Sequence, residues 1–333
     1  MLISRLFIIT GILFFTFIHN PALADVPTGT WTTAAPAPTQ RTEVAAAAIA
    51  DKIYVVGGFN RPNLDNVLKF AISNEVAVYD TAADSWSFTT PLPEGRHHVG
   101  IASLNGMLYV VGGFTKSFLS VWHAVATVYQ YNPATREWRE LAPMPTARGA
   151  LGVAVYQNRL YAIGGYDGKH NSGAVEIFDP QTNTWSSGAS MFTPRDHLAV
   201  VATENRIYAI GGRPKLDYHR NLATVEEYDP QSNQWQPRAN LPTPRSGITA
   251  GIINDWIYVI GGETKDGTFA TNEAYHSAMD QWRTMAPMPT ARHGLGSAVV
   301  NGRLYVISGG PTPGGSFSQV NEVFIPPIVE HNE

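Results

Sequence analysis

Six arginines recur at one position of a sequence repeat, and they are the residues best suited to binding a charged ligand. They are Arg41, Arg96, Arg148, Arg195, Arg245 and Arg292. A guanidinium group presents a planar set of donors that matches carboxylates and phosphates. If the fold gathers these side chains, we expect a cationic ring that binds an acidic protein, an acidic peptide or an anionic glycan. The alternative is that each arginine satisfies carbonyl groups or an acidic neighbour inside the fold.

Histidines lie one or two positions after several of these arginines, at His97, His98, His197 and His293. Imidazoles from different repeats could bind a metal ion or act as a general base. Adjacent residues of a strand point to opposite sides, however, which argues against convergence. The sequence therefore predicts no metal site and no cofactor. The candidate ligand-binding residues are the six arginines together with His97 and His293.

Signatures of catalysis are weak in this chain. Glu43, Asp196 and Glu263 are the nearest carboxylates able to exchange protons, but their spacing is not diagnostic of an enzyme class. The sequence has no G-x-S-x-G, no H-E-x-x-H and no phosphate-binding glycine loop. It also has no cysteine, which excludes thiol catalysis and thiolate metal sites. We assign no catalytic residue, and the sequence favours a non-catalytic role.

The composition excludes nucleic acid as a partner. The 333 residues carry a formal net charge of −4, whereas nucleic-acid binding needs a basic surface that displaces counterions from phosphates.

Hydrophobic residues make up 44% of the chain, enough for a large core that holds the protein together without disulfides. We expect a monomer.

The N-terminal residues predict export. Arg5 precedes an apolar run from Leu6 to Ile18, and Ala22-Leu23-Ala24 follows as a small-x-small cleavage pattern. The run is shorter than the roughly 20 residues that cross a bilayer as a helix. We therefore predict a signal peptide over residues 1–24, with no membrane span after its cleavage and a periplasmic or secreted product. The alternative is an uncleaved membrane anchor.

The arginines belong to a pattern that is kept in six copies. In the fourth copy, Arg195 lies ten residues after Trp185, and Tyr208 lies thirteen residues after Arg195. The diglycine Gly211-Gly212 begins three residues after Tyr208. The other five copies keep this phase, although Ser308-Gly309 replaces the diglycine in the sixth. A repeat of about 50 residues with this pattern is typical of a propeller blade.

The repeat resembles the kelch motif, in which a diglycine is followed by an aromatic residue and then a tryptophan. The resemblance covers the chain from Trp31 to Phe324. It implies an all-β fold, a six-bladed kelch β-propeller with four-stranded antiparallel blades around a channel. We predict this domain over residues 25–327, followed by a tail over 328–333.

The residues place the strands within each blade. Small side chains after each arginine, such as Val44–Ala48, suit the innermost strand near the axis. The diglycine ends the second strand, and the tryptophan strand lies outermost with its ring against the next blade. No tryptophan strand follows Phe324, so the strand around Trp31 is predicted to complete the last blade and close the ring.

Strand alternation puts the arginines and the loops after the diglycines on one face. These loops are longest at 59–74, 114–125 and 213–224, and they add Arg61, Lys69, Lys116, Lys215 and Arg220. Variable loops on a rigid scaffold are where binding usually resides. We expect the binding site on this face.

Two functions remain open at this point. One is an exported, non-catalytic recognition module, similar to kelch adaptors whose arginines bind acidic peptides. The other is an enzyme that resembles the periplasmic sialic-acid mutarotases, whose pocket uses a carboxylate and an arginine. A deep pocket pairing an arginine with Glu43, Asp196 or Glu263 favours sugar chemistry, whereas a broad, shallow arginine ring favours a macromolecule. The copper chemistry of galactose oxidase, a kelch-propeller enzyme, cannot carry over to this chain, because that site needs a cysteine and the chain has none.

Overall fold

A computed structural model describes residues 27–60, 71–118 and 120–327. The predicted signal peptide (1–24), Arg61, Lys69 and the predicted tail (328–333) lie outside the described residues, so these assignments remain predictions. Within the described ranges, no helix is long and apolar enough to cross a membrane.

Six four-stranded antiparallel sheets make up the described structure, which confirms the all-β kelch-propeller fold. We number them blades 1 to 6 by their innermost strand. From the innermost strand outward, the blades are Ala45–Ile49, Lys52–Val56, Val76–Asp80 and Ser85–Phe88; Gly100–Leu104, Met107–Val111, Val128–Asn132 and Glu137–Leu141; Gly152–Tyr156, Arg159–Ile163, Val175–Asp179 and Thr184–Gly188; Ala199–Ala202, Ile207–Ile210, Val225–Asp229 and Gln234–Pro237; Thr249–Ile253, Trp256–Ile260, Asn272–His276 and Gln281–Thr284; and Gly296–Val300, Arg303–Ile307, Asn321–Ile325 and Thr30–Thr33.

Shorter strands extend the loops on one face of the blades. They are Arg41–Thr42, Phe59–Asn60, Ala71–Ile72, Phe114–Thr115, His123–Ala124, Glu263–Thr264 and Gly267–Thr268. In every blade, the residue after the repeat arginine pairs with the residue after the next diglycine. Thr42 with Phe59 is one such pair, and Asp196 with Arg213 is another. This pairing places the two predicted parts of the binding face in direct contact.

The innermost strands contact one another in a cycle that runs from blade 1 through blade 6 and back to blade 1. Small side chains are needed there because the strands lie close together. A Cβ atom added to Gly152 would lie 2.1 Å from a methyl carbon of Val200, and one added to Gly296 would lie 2.9 Å from the Ala46 Cβ. The small-residue pattern after each arginine thus follows from steric crowding at the axis.

Tryptophans on the outermost strands join neighbouring blades. Each indole N–H donates to a backbone carbonyl of the adjacent blade, at 2.7–3.0 Å. The pairs are Trp31 with Ala286, Trp86 with Ala35, Trp138 with Thr90, Trp185 with Ala142, Trp235 with Ala189 and Trp282 with Ala239. The acceptor belongs to the preceding blade in chain order, so the prediction that each ring packs against the next blade was wrong. The rings also pack in cores shared with the preceding blade, as Trp185 does with Leu141 and Met144 of the blade 2 side.

The strand Thr30–Thr33 pairs antiparallel with Asn321–Ile325 at the outer edge of blade 6. Trp31 lies opposite Phe324 in this register, with ring centroids 5.2 Å apart. Its indole also donates to the Ala286 carbonyl of blade 5 at 2.8 Å. The strand therefore contributes both a sheet edge and a contact between blades.

We expect Trp31→Ala to lower the free energy of unfolding by about 3 kcal/mol, because it empties an aromatic site and leaves the Ala286 carbonyl without this donor. The matched control is Phe88→Ala, since Phe88 also lies on an outermost strand but is 56% exposed. Chemical denaturation of both variants measures the difference. Equal losses would show that the N-terminal strand adds nothing beyond an ordinary exposed aromatic residue.

Candidate functional site

The six repeat arginines are completely buried, each with 0% of its surface exposed. Arg195 shows the arrangement: its Nη2 donates to the Ala209 carbonyl and its Nη1 to the Thr193 carbonyl, both at 2.8 Å. The same guanidinium group forms an ion pair with Glu226 on the third strand of its blade. The side chain therefore joins three segments of one blade.

Most copies share this arrangement. Third-strand or adjacent glutamates pair with five of the arginines: Glu75 with Arg41, Glu176 with Arg148, Glu226 with Arg195, Glu273 with Arg245 and Glu322 with Arg292. Arg96 pairs instead with Glu94, two residues before it in the chain, at 3.2 Å. In its blade Tyr129 occupies the third-strand glutamate position, and the Tyr129 ring lies 4.8 Å from the guanidinium carbon. Burial lowers the pKa of Arg195, and the Glu226 carboxylate acts in the opposite direction.

This burial corrects the picture of an exposed cationic ring at the channel mouth. The guanidinium groups are directed into the blades, where carbonyls and carboxylates already accept their Nη–H bonds. This arrangement agrees with the alternative interpretation of the sequence, in which each arginine donates to carbonyls and an acidic neighbour inside the fold. Ligand contacts on this face must come from side chains that lie above the arginines.

We expect Arg195→Ala to lower the free energy of unfolding by about 3–5 kcal/mol, because it leaves Glu226 as an unpaired buried charge. The control is Arg159→Ala, which removes an ion pair between the 54% exposed Arg159 side chain and Asp179 and is expected to cost less than about 1 kcal/mol. Urea denaturation measures both. A folded Arg195→Ala protein as stable as the control would contradict a bracing role.

The residue two positions after each arginine forms the rim of the channel, which we call the mouth ring. Its members are Glu43, His98, Ala150, His197, Gly247 and Gly294, all with φ between 52° and 64°. Backbone N–H groups link them from blade to blade, as in Ala150 N to His98 O at 2.9 Å and His197 N to Ala150 O at 3.0 Å. Left-handed φ turns these side chains out of the strand alternation that the sequence suggested.

Three mouth-ring side chains converge above the channel. His98 Nε2 lies 2.9 Å from Glu43 Oε2, and the His98 and His197 rings are 4.6 Å apart. Ala150 lies between the two histidines along the ring, and its small side chain leaves room for their contact. Residues from blades 1, 2 and 4 therefore meet at one point.

A second layer lies against the mouth ring. His293 Nδ1 is 3.2 Å from Glu43 Oε1 and 3.5 Å from Glu263 Oε2. Arg213 Nη1 donates to Glu263 Oε1 at 2.7 Å, and its Nε lies 3.7 Å from Asp196 Oδ1. The three carboxylates named from the sequence thus belong to one buried network with a cation outside the repeat arginines.

The network sets the protonation states of its members. Burial alone would raise the pKa of Glu43, but the neighbouring His98 and His293 rings, when protonated, hold it well below its usual range. Burial alone would lower the pKa of His293, but Glu43 and Glu263 raise it above its usual value. Burial and then Arg213 lower the pKa of His197 to about 4, against the opposite effect of Asp196. At neutral pH, Glu43 is a carboxylate and His197 is a neutral imidazole.

A cavity of about 130 Å³ opens above this network. Its apolar walls are Phe59, Trp122, Leu216 and Tyr218, and its polar lining comes from Glu43, His98, Arg213 and Glu263. The Arg213 guanidinium carbon lies 5.5 Å from the centre of the Tyr218 ring. Aromatic walls with a few fixed polar groups are typical of sites that bind a small ligand or one side chain of a partner.

The two predicted histidines take different places. His97 is completely buried and does not line the cavity; its Nε2 donates to the Val121 carbonyl at 2.7 Å. His293 lies in the network, between Glu43 and Glu263. Sequence reasoning did not select His98 or His197, although alignment of the six copies at the second position after the arginine brings them out.

Arg213 and Trp122 were also missed. Trp122 lies in a long loop where the repeat gives no register, so only the fold brings it to the cavity. Arg213 directly follows the fourth diglycine, and the residues at the same position of the first and fifth copies, Phe59 and Glu263, also line the cavity. Trp122 packs 5.2 Å from the His98 ring and 5.1 Å from the His97 ring. Alignment of the residue after each diglycine could therefore have found Arg213, whereas no repeat position marks Trp122.

Comparison with known structures agrees with the fold. A solved structure titled "Structure of YjhT" matches with a TM-score of 0.75 and 21% identity, covering 90% of this chain and 97% of that one. At this identity the likeness shows the fold alone.

Curated relatives match over part of their length. They include the kelch-like protein terF of Aspergillus terreus (32% identical over 38% of this chain and 27% of that protein), kelch-like protein 35 of Mus musculus (28%, over 46% and 24%) and human kelch-like protein 25 (34%, over 38% and 21%). The matched region is about a quarter of each relative, so their whole activities do not transfer to this chain.

Family descriptions match most of the propeller. The KLHDC2/KLHL20/DRC7 Kelch-repeats domain matches residues 89–262, more than half of the chain, and the Kelch motif matches residues 40–93 and 244–289. Six phased copies of the tryptophan, arginine, tyrosine and diglycine pattern, folded as four-stranded blades, agree with both. The chain belongs to the kelch-repeat family.

Proposed function

We propose that the protein is a non-catalytic recognition module that binds an acidic partner on the face formed by the loops after the diglycines. The observation that carries this proposal is the aromatic-walled cavity at the centre of that face. The partner is an acidic protein, an acidic peptide or an anionic glycan, one group of which enters the cavity. The predicted signal peptide would put this face in the periplasm or outside the cell.

Exposed charges on these loops support an acidic partner. The described parts of the loops carry Lys116, Lys169, Lys215, Arg220 and Lys265 as exposed cations. Three acidic residues, Asp167, Asp217 and Asp266, lie on the same loops. Exposed cations therefore outnumber exposed carboxylates on the described parts of these loops, although the whole chain is acidic. Such a field raises the association rate of an anionic partner more than its affinity.

The cavity lining supports recognition of one defined group. Arg213 is held by Glu263 and Ser246, with Nη1 to Ser246 Oγ at 3.2 Å. A pre-positioned guanidinium beside an aromatic wall loses little freedom when a ligand binds, which favours affinity. Trp122 and Tyr218 provide flat apolar surfaces for a sugar ring or a side chain.

A second candidate function is the interconversion of sugar-acid anomers, as in the mutarotases that the repeats resemble. The specific observation in its favour is the pairing of Arg213 with Glu263 beside Glu43, the arrangement that favours sugar chemistry over a shallow arginine ring. Mutarotation needs one group that accepts a proton and one that donates it. Glu43 is a carboxylate, and His293, whose pKa its carboxylate neighbours raise, lies 3.2 Å from it, so the two are the candidate acceptor and donor.

We expect reversal of two rim charges, in Lys215→Glu/Arg220→Glu, to weaken binding of acidic ligands at least about tenfold at low salt, because these cations face the partner. Wild-type affinity should itself fall as salt rises from about 50 to 300 mM. Titration of fluorescent poly-glutamate peptides, sialic acids and uronic-acid oligosaccharides measures both effects. Neutral sugars and lysine peptides are the negative probes.

The matched control reverses two cations at the other face, in Arg159→Glu/Arg303→Glu. Both residues begin second strands, at the opposite end from the diglycines. Equal loss in the two double variants, or equal binding of neutral sugars, would contradict the proposed face. NMR exchange between the anomers of a bound sugar acid separates the two functions: acceleration that disappears in Glu43→Gln supports the mutarotase, and binding without acceleration supports recognition alone.

A further inference from the structure

We propose that Glu43, His98 and His197 bind one divalent transition-metal ion, for which Zn²⁺ is the best-matched probe. One ligand atom from each of the three residues lies within 4.8 Å of the other two. Donor atoms on a tetrahedral zinc ion stand about 3.3 Å apart, given bonds of about 2.0 Å. Small side-chain rotations would bring the three ligand atoms from within 4.8 Å of one another to that spacing. This inference does not depend on the proposed partner.

Hydrogen bonds fix which nitrogen of His98 carries a proton. The Val121 carbonyl can only accept, so His97 donates to it from Nε2, at 2.7 Å. A neutral imidazole that donates from Nε2 carries no proton on Nδ1, so His97 Nδ1 is an acceptor. His97 Nδ1 lies 2.5 Å from His98 Nδ1, so His98 must donate from Nδ1. The remaining His98 nitrogen, Nε2, is directed towards Glu43.

The same argument applies to His197. Its Nδ1 lies 2.6 Å from Asp196 Oδ1, and a carboxylate accepts, so His197 donates from Nδ1. Asp196 is itself held by Asn171 Nδ2 at 2.6 Å and by the Leu216 N–H at 3.0 Å. His197 is 6% exposed. Its Nε2 lone pair is buried and has no hydrogen-bond partner among the described residues.

Two buried lone pairs and a carboxylate therefore face a common point. His98 Nε2 also makes no hydrogen bond, although it lies 2.9 Å from Glu43 Oε2. A neutral imidazole nitrogen beside a carboxylate oxygen is repulsive unless a cation lies between them. Protonation of His98 would satisfy that pair but would leave His197 Nε2 buried and unpaired, at a cost of about 1–3 kcal/mol. A metal ion satisfies all three groups.

Each donor is supported on its far side. His97 positions His98, Asp196 positions His197, and His293 lies 3.2 Å from the second oxygen of Glu43. Such outer partners orient the ligands of protein-bound metals and fix their tautomers. Two histidines and one carboxylate leave at least one coordination position open. Because Glu43 and His98 line the cavity, that position is accessible to a ligand bound there.

The test uses the full-length protein after chelator treatment, with Zn²⁺ and Co²⁺ added separately. We expect calorimetry to give one ion per chain, thermal unfolding to shift upward with Zn²⁺, and Co²⁺ to give a visible absorption band. Glu43→Gln and His197→Gln should weaken Zn²⁺ binding at least about 100-fold. Asp196→Asn should weaken it by about 10–100-fold through loss of the outer partner.

The control variant is His170→Gln/His219→Gln, which removes two exposed histidines from loops of the same face and should leave affinity unchanged. The apo forms of all variants are compared by thermal unfolding. If Glu43→Gln or His197→Gln fails to fold, the test rests on Asp196→Asn. A loss of Zn²⁺ affinity of about 10–100-fold in that variant supports the site, and unchanged affinity contradicts it. Absence of stoichiometric binding in the wild type, or affinity kept in folded Glu43→Gln and His197→Gln, would overturn the proposal.

Discussion

The buried guanidinium group of each repeat is the interaction on which the rest of this propeller depends. A charge without solvent is tolerated only when acceptors surround it, and removal of one partner leaves the other uncompensated. In Arg195 the acceptors come from the segment before it, from the second strand and from the third strand. Satisfying the charge therefore fixes the corner of the blade where the diglycine ends the second strand.

The corner in turn determines where the mouth ring lies. Two residues after each arginine the backbone takes positive φ. In five copies the N–H of this residue donates to the preceding blade, and in the first copy the Val44 N–H does so. Glycine adopts this conformation without strain, as Gly247 and Gly294 do, whereas other residues adopt it at a cost. Glu43, His98 and His197 bear that cost at the positions where their side chains meet. Strain and chemistry thus coincide at one ring of the structure.

Much of the fold could be predicted because the same residue types make the same contacts in every blade. Tryptophan, arginine, tyrosine and diglycine positions are set by contacts within one repeat or with its neighbour, so they recur in phase. The direction of the arginines could not be read from their own spacing, since it depends on acceptors elsewhere in the blade. Glu176, Glu226, Glu273 and Glu322 recur on the third strands, and they were the overlooked evidence for burial.

The candidate site was less predictable for a different reason. Strand alternation suggested that neighbouring histidines diverge, but His98 and His197 lie at left-handed turns rather than in strands. Their meeting also requires blades 2 and 4 to approach at the axis, which no local spacing encodes. Trp122 comes from a loop without register, and Arg213 follows a diglycine at a position where no other copy carries an arginine. The repeat therefore specifies the scaffold, while the chemistry comes from positions where copies differ.

The pairing of Thr30–Thr33 with Asn321–Ile325 has a consequence for biosynthesis. The ribosome makes the first of these strands long before its partner exists, so blade 6 can be completed only after nearly all the described chain has been made. Until then an unpaired strand edge stays open, and closing it brings together segments far apart in sequence, a slow kind of contact. At high concentration, the N-terminal strand of a second molecule can fill that edge first, giving strand-exchanged dimers.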